Sequence, residues 1–152
     1  MRLVKDFMRK RVVCFRPDDS IFKVAKCFAT KGISGAPVVD KCKVVGIVSE
    51  SDLIKFIKSQ TVECVRAELG LSLSLLDMLR KYISLRKQLK QVSKVKVKDV
   101  MNKTVISVRP DSTLSEAAEL MDKYDIHRLP VIENDKLVGI ISRADLIHSL
   151  IK

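Results

Sequence analysis

GIVSESDL at residues 46–53 returns as GIISRADL at residues 139–146, and this doubled stretch decides the fold. A β-branched run stops at a serine, and an aspartate follows three residues later, so a strand passes directly into a helix. The repetition extends outward on both sides. Residues 4–58 lie on 97–151 at a constant offset of 93 with no gap, and 21 of the 55 aligned positions are identical. Internal repetition fixes an architecture before any local assignment. A unit of about 55 residues buries too little surface to stand alone. The two units are therefore expected to pack their apolar faces together about a pseudo-twofold axis.

Composition narrows the class. Hydrophobic residues make up 47% of the chain and aromatics only 5%, which predicts an aliphatic core. There is no run of 18 apolar residues and no signal-like segment, so a cytoplasmic protein with no membrane span is expected. Cys14, Cys27, Cys42 and Cys64 show no CxxC or metal-ligand spacing and read as buried free thiols. The net charge of +11 is uneven: residues 1–59 carry 13 Lys/Arg against 6 Asp/Glu, whereas residues 96–152 carry 9 of each. A basic first half could attract phosphates, an acidic partner or nucleic acid. A solvated lysine-rich surface explains it equally well.

Each repeat reads as strand, helix, strand, strand, helix. Val12–Phe15 and Val105–Val108 are short β-branched runs stopped by Arg-Pro. Helices start after Ser20 and Thr113, where Thr113 and Glu116 fit a capping box. Their apolar faces are Ile21, Val24, Ala25 and Phe28, and Leu114, Ala117, Ala118 and Met121. Pro37 and Pro130 each begin a strand, and each strand pair closes through a short polar turn, Lys41-Cys42 or Asn134-Asp135. The last helices carry Leu53, Ile54 and Ile57, and Leu146, Ile147 and Leu150.

The chain thus divides into repeat one (1–59), a basic, largely helical insertion (60–95) and repeat two (96–152). Within the insertion an amphipathic helix is expected over 71–92. Its apolar stripe, Leu69, Leu73, Leu76, Leu79 and Ile83, needs a cover, which a homodimer partner or the chain's own repeat core is expected to supply, and a homodimer is the expected assembly.

Ser49 and Asp52, and again Ser142 and Asp145, fall at a helix N-terminus, where free N–H groups favour an anion. Simple N-capping would account for one polar residue, yet both occur in both repeats. An ionised aspartate only accepts hydrogen bonds, so at a cleft it can take both hydroxyls of a ribose cis-diol. The serine can donate to a phosphate or sugar oxygen. His127 and Arg128 lead into a strand, where arginine offers a fork for phosphate and histidine a donor responsive near neutral pH. Repeat one has Ser34-Gly35 at the matching positions, so the two clefts are not equivalent.

Taken together, the VKDFM and VKDVM leaders, the RPD helix starts, GAPVVD and RLPVIE, and GIVSESDL and GIISRADL make the chain resemble a tandem pair of CBS domains (a Bateman module). The resemblance implies an α/β (α+β) fold of two βαββα motifs packed about a pseudo-twofold axis, with the insertion between them. It also implies clefts for adenosine-containing ligands. One would join Ser49 and Asp52 to Thr104, Ile106, His127 and Arg128. The other would join Ser142 and Asp145 to Arg11, Val13, Ser34 and Ala36. The His-Arg pair before Leu-Pro resembles the phosphate-contacting pair of the AMP-sensing kinase γ subunits.

No activated nucleophile, carboxylate pair, metal cluster or Walker-type loop supports catalysis. The expected function is a non-catalytic sensor with no obligatory cofactor. Its effector would be AMP, ADP, ATP or an S-adenosylmethionine-like ligand, and it would modulate a separate enzyme or transporter, or its own association. The alternatives are nucleic-acid binding through the basic first half, and a constitutive interaction module with degenerate clefts. The former lacks stacking aromatics, with no Trp and two Tyr.

Overall fold

The computed structural model describes residues 1–68 and 94–152, with side chains described for 1–59 and 94–152. The helix expected over 71–92 and the stripe from Leu69 to Ile83 lie outside the described residues. In chain order the elements are a 3-10 turn (Val4–Asp6), α1 (Ile21–Lys31), β1 (Gly35–Asp40), β2 (Lys43–Ser49), α2 (Glu50–Glu68), α3 (Val97–Val100), α4 (Leu114–Lys123), β3 (Arg128–Glu133), β4 (Lys136–Ser142) and α5 (Arg143–Ser149). α2 runs through the boundary expected at residue 59, so the insertion begins as a continuation of the last helix of repeat one.

The two hairpins are built alike. β1 pairs antiparallel with β2 and β3 with β4. Each turn needs positive φ at both central residues, as a two-residue hairpin loop demands. Lys41 and Cys42 have φ of 48° and 67°, and Asn134 and Asp135 have 50° and 62°. Both hairpins also carry a bulge at matched places, after Val38 and after Val131. The hairpins come together through β2 and β4.

The first strand of each repeat is shorter than the sequence suggests. Only Phe15 and Val108 form parallel bridges, to Val38 and Val131. Phe15 N–H donates to the Pro37 carbonyl at 3.1 Å, and Val39 N–H donates to Phe15 O at 2.8 Å. The ladder stops there because Pro17 and Pro110 have no N–H to extend it.

The helix starts agree with their sequence signals. Thr113 Oγ1 accepts from Glu116 N–H at 3.1 Å, and Glu116 Oε2 accepts from Thr113 N–H at 3.0 Å. Ser20 Oγ caps α1 by accepting from Lys23 N–H at 3.2 Å. The buried stripes are Ile21, Val24 and Phe28 on α1, and Ala117 and Met121 on α4. Ala25 and Ala118, expected on those faces, are exposed. The cysteines also differ from expectation: Cys14 and Cys42 are exposed and Cys27 is half-buried. Cys14 neighbours the buried Phe15 on the opposite side of an extended segment, and Cys42 sits in the hairpin turn.

The leaders exchange places. Val4 is fully buried in a core with Val108, Ala117, Met121, Leu129, Val131 and Ile141, all from repeat two. Val97 is fully buried with Phe15, Val24, Phe28, Ala36, Val38 and Val48, all from repeat one. Backbone bonds carry the same exchange. Val4 N–H donates to Ser112 O (2.9 Å) and Lys5 N–H to Pro110 O (3.0 Å), while Val97 N–H donates to Asp19 O (2.8 Å) and Lys98 N–H to Pro17 O (3.0 Å). Each repeat thus completes the other, which is why neither is expected to fold alone.

Candidate functional site

The exchange determines which residues can share a cleft. Asn102 N–H donates to Ile47 O at 2.8 Å and its carbonyl accepts from Ile47 N–H at 2.9 Å, so residues 102–106 of repeat two leave from β2 of repeat one. The bridge is antiparallel, so the chain beyond Asn102 heads toward the start of β2; Thr104 is exposed, Ile106 is half-buried against the core of repeat two, and among the described residues neither bonds to Ser49 or Asp52. Arg9 and Ile140 make the matching antiparallel pair at 2.9 and 3.0 Å; beyond it Arg11 is exposed and Val13 is half-buried against the core of repeat one, and among the described residues neither bonds to Ser142 or Asp145. Ala36 behaves differently: its methyl group is fully buried in the core of repeat one, so only its backbone could meet a ligand.

At both helix starts the aspartate reaches back to its own serine. Asp52 Oδ2 accepts from Ser49 N–H at 2.8 Å and from Ser49 Oγ at 3.0 Å. Asp145 Oδ2 accepts from Ser142 N–H at 2.8 Å and from Ser142 Oγ at 2.7 Å. Serine and aspartate therefore form one capping unit, and one carboxylate oxygen of each aspartate is committed to it. The second oxygen differs between the repeats. Asp52 Oδ1 has no partner among the described residues, whereas Asp145 Oδ1 faces Arg9 Nε at 3.3 Å.

Arg128 crosses from repeat two to repeat one. Its guanidinium donates to Ser34 Oγ and fills the space beside Gly35, where any Cβ would collide with it. The absence of a side chain at Gly35, which pairs across the hairpin with Ser49, is what lets the arginine lie there. Burial lowers the Arg128 pKa from its ordinary value, and the Glu50 carboxylate at the start of α2 opposes that lowering. The half-buried cation thus stands between the Ser34 end of one predicted cleft and the Glu50 end of the other. His127, its neighbour, is exposed, and its carbonyl accepts from Arg143 N–H at 3.0 Å.

Sequence reasoning missed Arg9, Glu50 and the role of Gly35. Only the exchange of leaders brings Arg9 to Asp145, and no local pattern encodes that contact. A separate cavity of about 810 Å³ is lined by Glu116, Glu119, Lys123 and Asp135 among others, and shares no residue with the predicted clefts. At the positions of repeat one that match its Ser107, Leu120 and Asp135 stand Cys14, Cys27 and Cys42. Among the described residues no group of three His, Cys, Asp or Glu is placed to hold a metal ion, and no helix is long and apolar enough to cross a membrane.

Known proteins match the chain along its whole length. An uncharacterized Methanocaldococcus jannaschii protein, MJ1426, is 41% identical over a 159-residue alignment covering 98% of this chain and 91% of its own. Inosine-5′-monophosphate dehydrogenase of the same organism is 45% identical over 140 residues, 91% of this chain but only 21% of the enzyme. Among solved structures, CBSX2 in complex with AMP superimposes with a TM-score of 0.73 at 24% identity, covering 99% of this chain and 97% of that one. The CBS domain pair of MJ0100, in complex with 5′-methylthioadenosine and S-adenosyl-L-methionine, gives 0.70 at 24% identity, covering 99% and 96%. At that identity the likeness establishes the fold. The family model for the CBS domain matches twice, at residues 4–59 and 97–152. With one domain in each repeat and the two joined through exchanged leaders, the chain belongs to the CBS domain family.

Proposed function

We propose that the chain is a non-catalytic, cytoplasmic regulatory module that binds an adenosine-containing ligand between its two CBS domains. The ligand is an adenine nucleotide (AMP, ADP or ATP) or a molecule like S-adenosylmethionine. Binding modulates a separate partner or the association of the module with itself, as a homodimer. The observation that carries the reading is Asp52. Its carboxylate is held at the start of α2 by Ser49 through one oxygen, and the other oxygen is uncommitted among the described residues. An oriented acceptor of this kind suits a ribose diol. Asn102 of repeat two pairs with Ile47, two residues before Ser49, and Arg128 supplies a cation for a phosphate. The AMP bound by CBSX2 and the adenosyl compounds bound by MJ0100 support the same ligand class. Free thiols at Cys14, Cys27 and Cys42 suit a reducing compartment.

Native mass spectrometry of the purified protein tests this reading. The expected result is a mass increment matching an adenosine compound, either co-purified or gained on adding AMP, ATP or S-adenosylmethionine. A protein that gains none of them at millimolar ligand contradicts it.

A further inference from the structure

The two clefts carry different side chains at several matched positions, and one of those differences bears directly on the aspartate carboxylate. Repeat two has Asn102 where repeat one has Arg9. The backbones of the two residues do the same work, each pairing with the inner strand of the other repeat, at Ile47 and at Ile140. Their side chains do not. Asn102 folds back on its own loop, where its Oδ1 accepts from Thr104 N–H at 3.0 Å. Arg9 reaches to Asp145 Oδ1 at 3.3 Å. With Oδ2 held by Ser142, both oxygens of Asp145 are engaged, and its side chain is only 9% exposed.

Resting on the ligand-binding reading above, we propose that Arg9 is a specificity-determining residue that reserves the second cleft. Its guanidinium occupies the carboxylate oxygen that a ribose diol would need at Asp145. The first equivalent of an adenosine ligand therefore enters the cleft of Asp52, and the Asp145 cleft fills only when the Arg9 contact is displaced. Arg9 itself is 62% exposed, so the contact is of surface strength and slows filling without forbidding it. The two affinities should differ by up to about fivefold at low salt, the scale of an ion pair with one open partner.

Calorimetric titration with AMP, and separately with S-adenosylmethionine, tests the proposal at low ionic strength. The wild-type protein should bind in two steps. Asp52→Asn should abolish the tighter step, and Asp145→Asn should leave it unchanged. Arg9→Asn, which installs the residue that repeat two carries, should strengthen the weaker step by up to about fivefold. The substitution keeps the main-chain bonds to Ile140, and Arg9→Gln replaces it if that variant does not fold. Two equal steps in the wild type, or a second step that Arg9→Asn leaves unchanged or weakens, would overturn the role of Arg9 and leave the ligand reading standing. If neither compound binds the wild type or Arg9→Asn, both fail.

Discussion

Gly46 lies against Met101, and a Cβ on the glycine would come within 2.5 Å of the methionine sulfur and 3.0 Å of the Asn102 carbonyl oxygen. Gly139 stands the same way to Met8, at 2.6 Å, and to the Arg9 carbonyl oxygen, at 3.0 Å. Each contact thus joins the glycine of one repeat to the methionine of the other. Gly46→Ala and Gly139→Ala should each lower stability by about 1–3 kcal/mol through overpacking. At this chain length each kcal/mol corresponds to a melting temperature about 2–4 °C lower. Calorimetric melting checks this, and two variants that melt with the wild type would remove the contact from the account.

The proposed function gives the phosphate to Arg128, the half-buried cation that reaches from repeat two to Ser34 of repeat one. Arg128→Ala should weaken AMP binding by about 10- to 100-fold, the scale of a lost charge-assisted bond. Adenosine, lacking phosphate, should lose much less. Equal losses for the two ligands would place the guanidinium away from the phosphate.

The exchanged leader also carries charge. Lys98 Nζ and Lys96 Nζ lie 3.1 and 3.4 Å from Asp18 Oδ1, joining the repeats across an exposed surface. The hydrogen bond and charge of Lys98, then those of Lys96, hold the Asp18 carboxyl below its ordinary pKa of 3.8. A carboxyl lowered in the native state stabilises it above the ordinary value, and that contribution fades as the pH falls through the native one. Asp18→Asn should therefore melt slightly below wild type at pH 7, and the gap should narrow and close as the pH falls below the ordinary carboxyl value of 3.8, and in high salt. A gap that persists in acid would assign the loss to something other than charge.

The stripe expected to hold a dimer lies outside the described residues, but the last helices offer a second apolar surface. Ile54 of α2 and Ile147 of α5 occupy matched positions and are 52% and 61% exposed, and Leu150 is 81% exposed. Such faces are uncommon on monomers. A twofold dimer through them predicts that Ile54→Asp with Ile147→Asp yields monomers in light scattering. A wild-type monomer at high micromolar concentration would exclude the dimer.

The repeat made much of this fold legible. Its constant offset of 93 gave two units with one topology, and local chemistry placed the Thr113–Glu116 capping box and the two-residue turns. The exchange of leaders was not legible, because the period of Val4 or Val97 says that a residue is buried but not in which repeat. The pairing of Arg9 with Asp145 and the reason for glycine at 35, 46 and 139 were hidden with it. The serine–aspartate pairs were found as polar residues at helix starts, but sequence alone could not show that both belong to the cap. That one oxygen of Asp52 remains open while both of Asp145 are engaged is visible only in three dimensions.

The central claim is that the uncommitted oxygen of Asp52 reads a ribose diol. Calorimetric comparison of AMP with its 2′-deoxy counterpart tests it most directly, on the wild type and on Asp52→Asn, which keeps an acceptor for the Ser49 cap and removes the charge. The account predicts that the wild type binds AMP at least about tenfold more tightly than the deoxy compound, the scale of one lost hydrogen bond to a charged group. That preference should vanish in Asp52→Asn while the fold remains. Equal affinity of the wild type for the two compounds, or an undiminished preference in the variant, would contradict it.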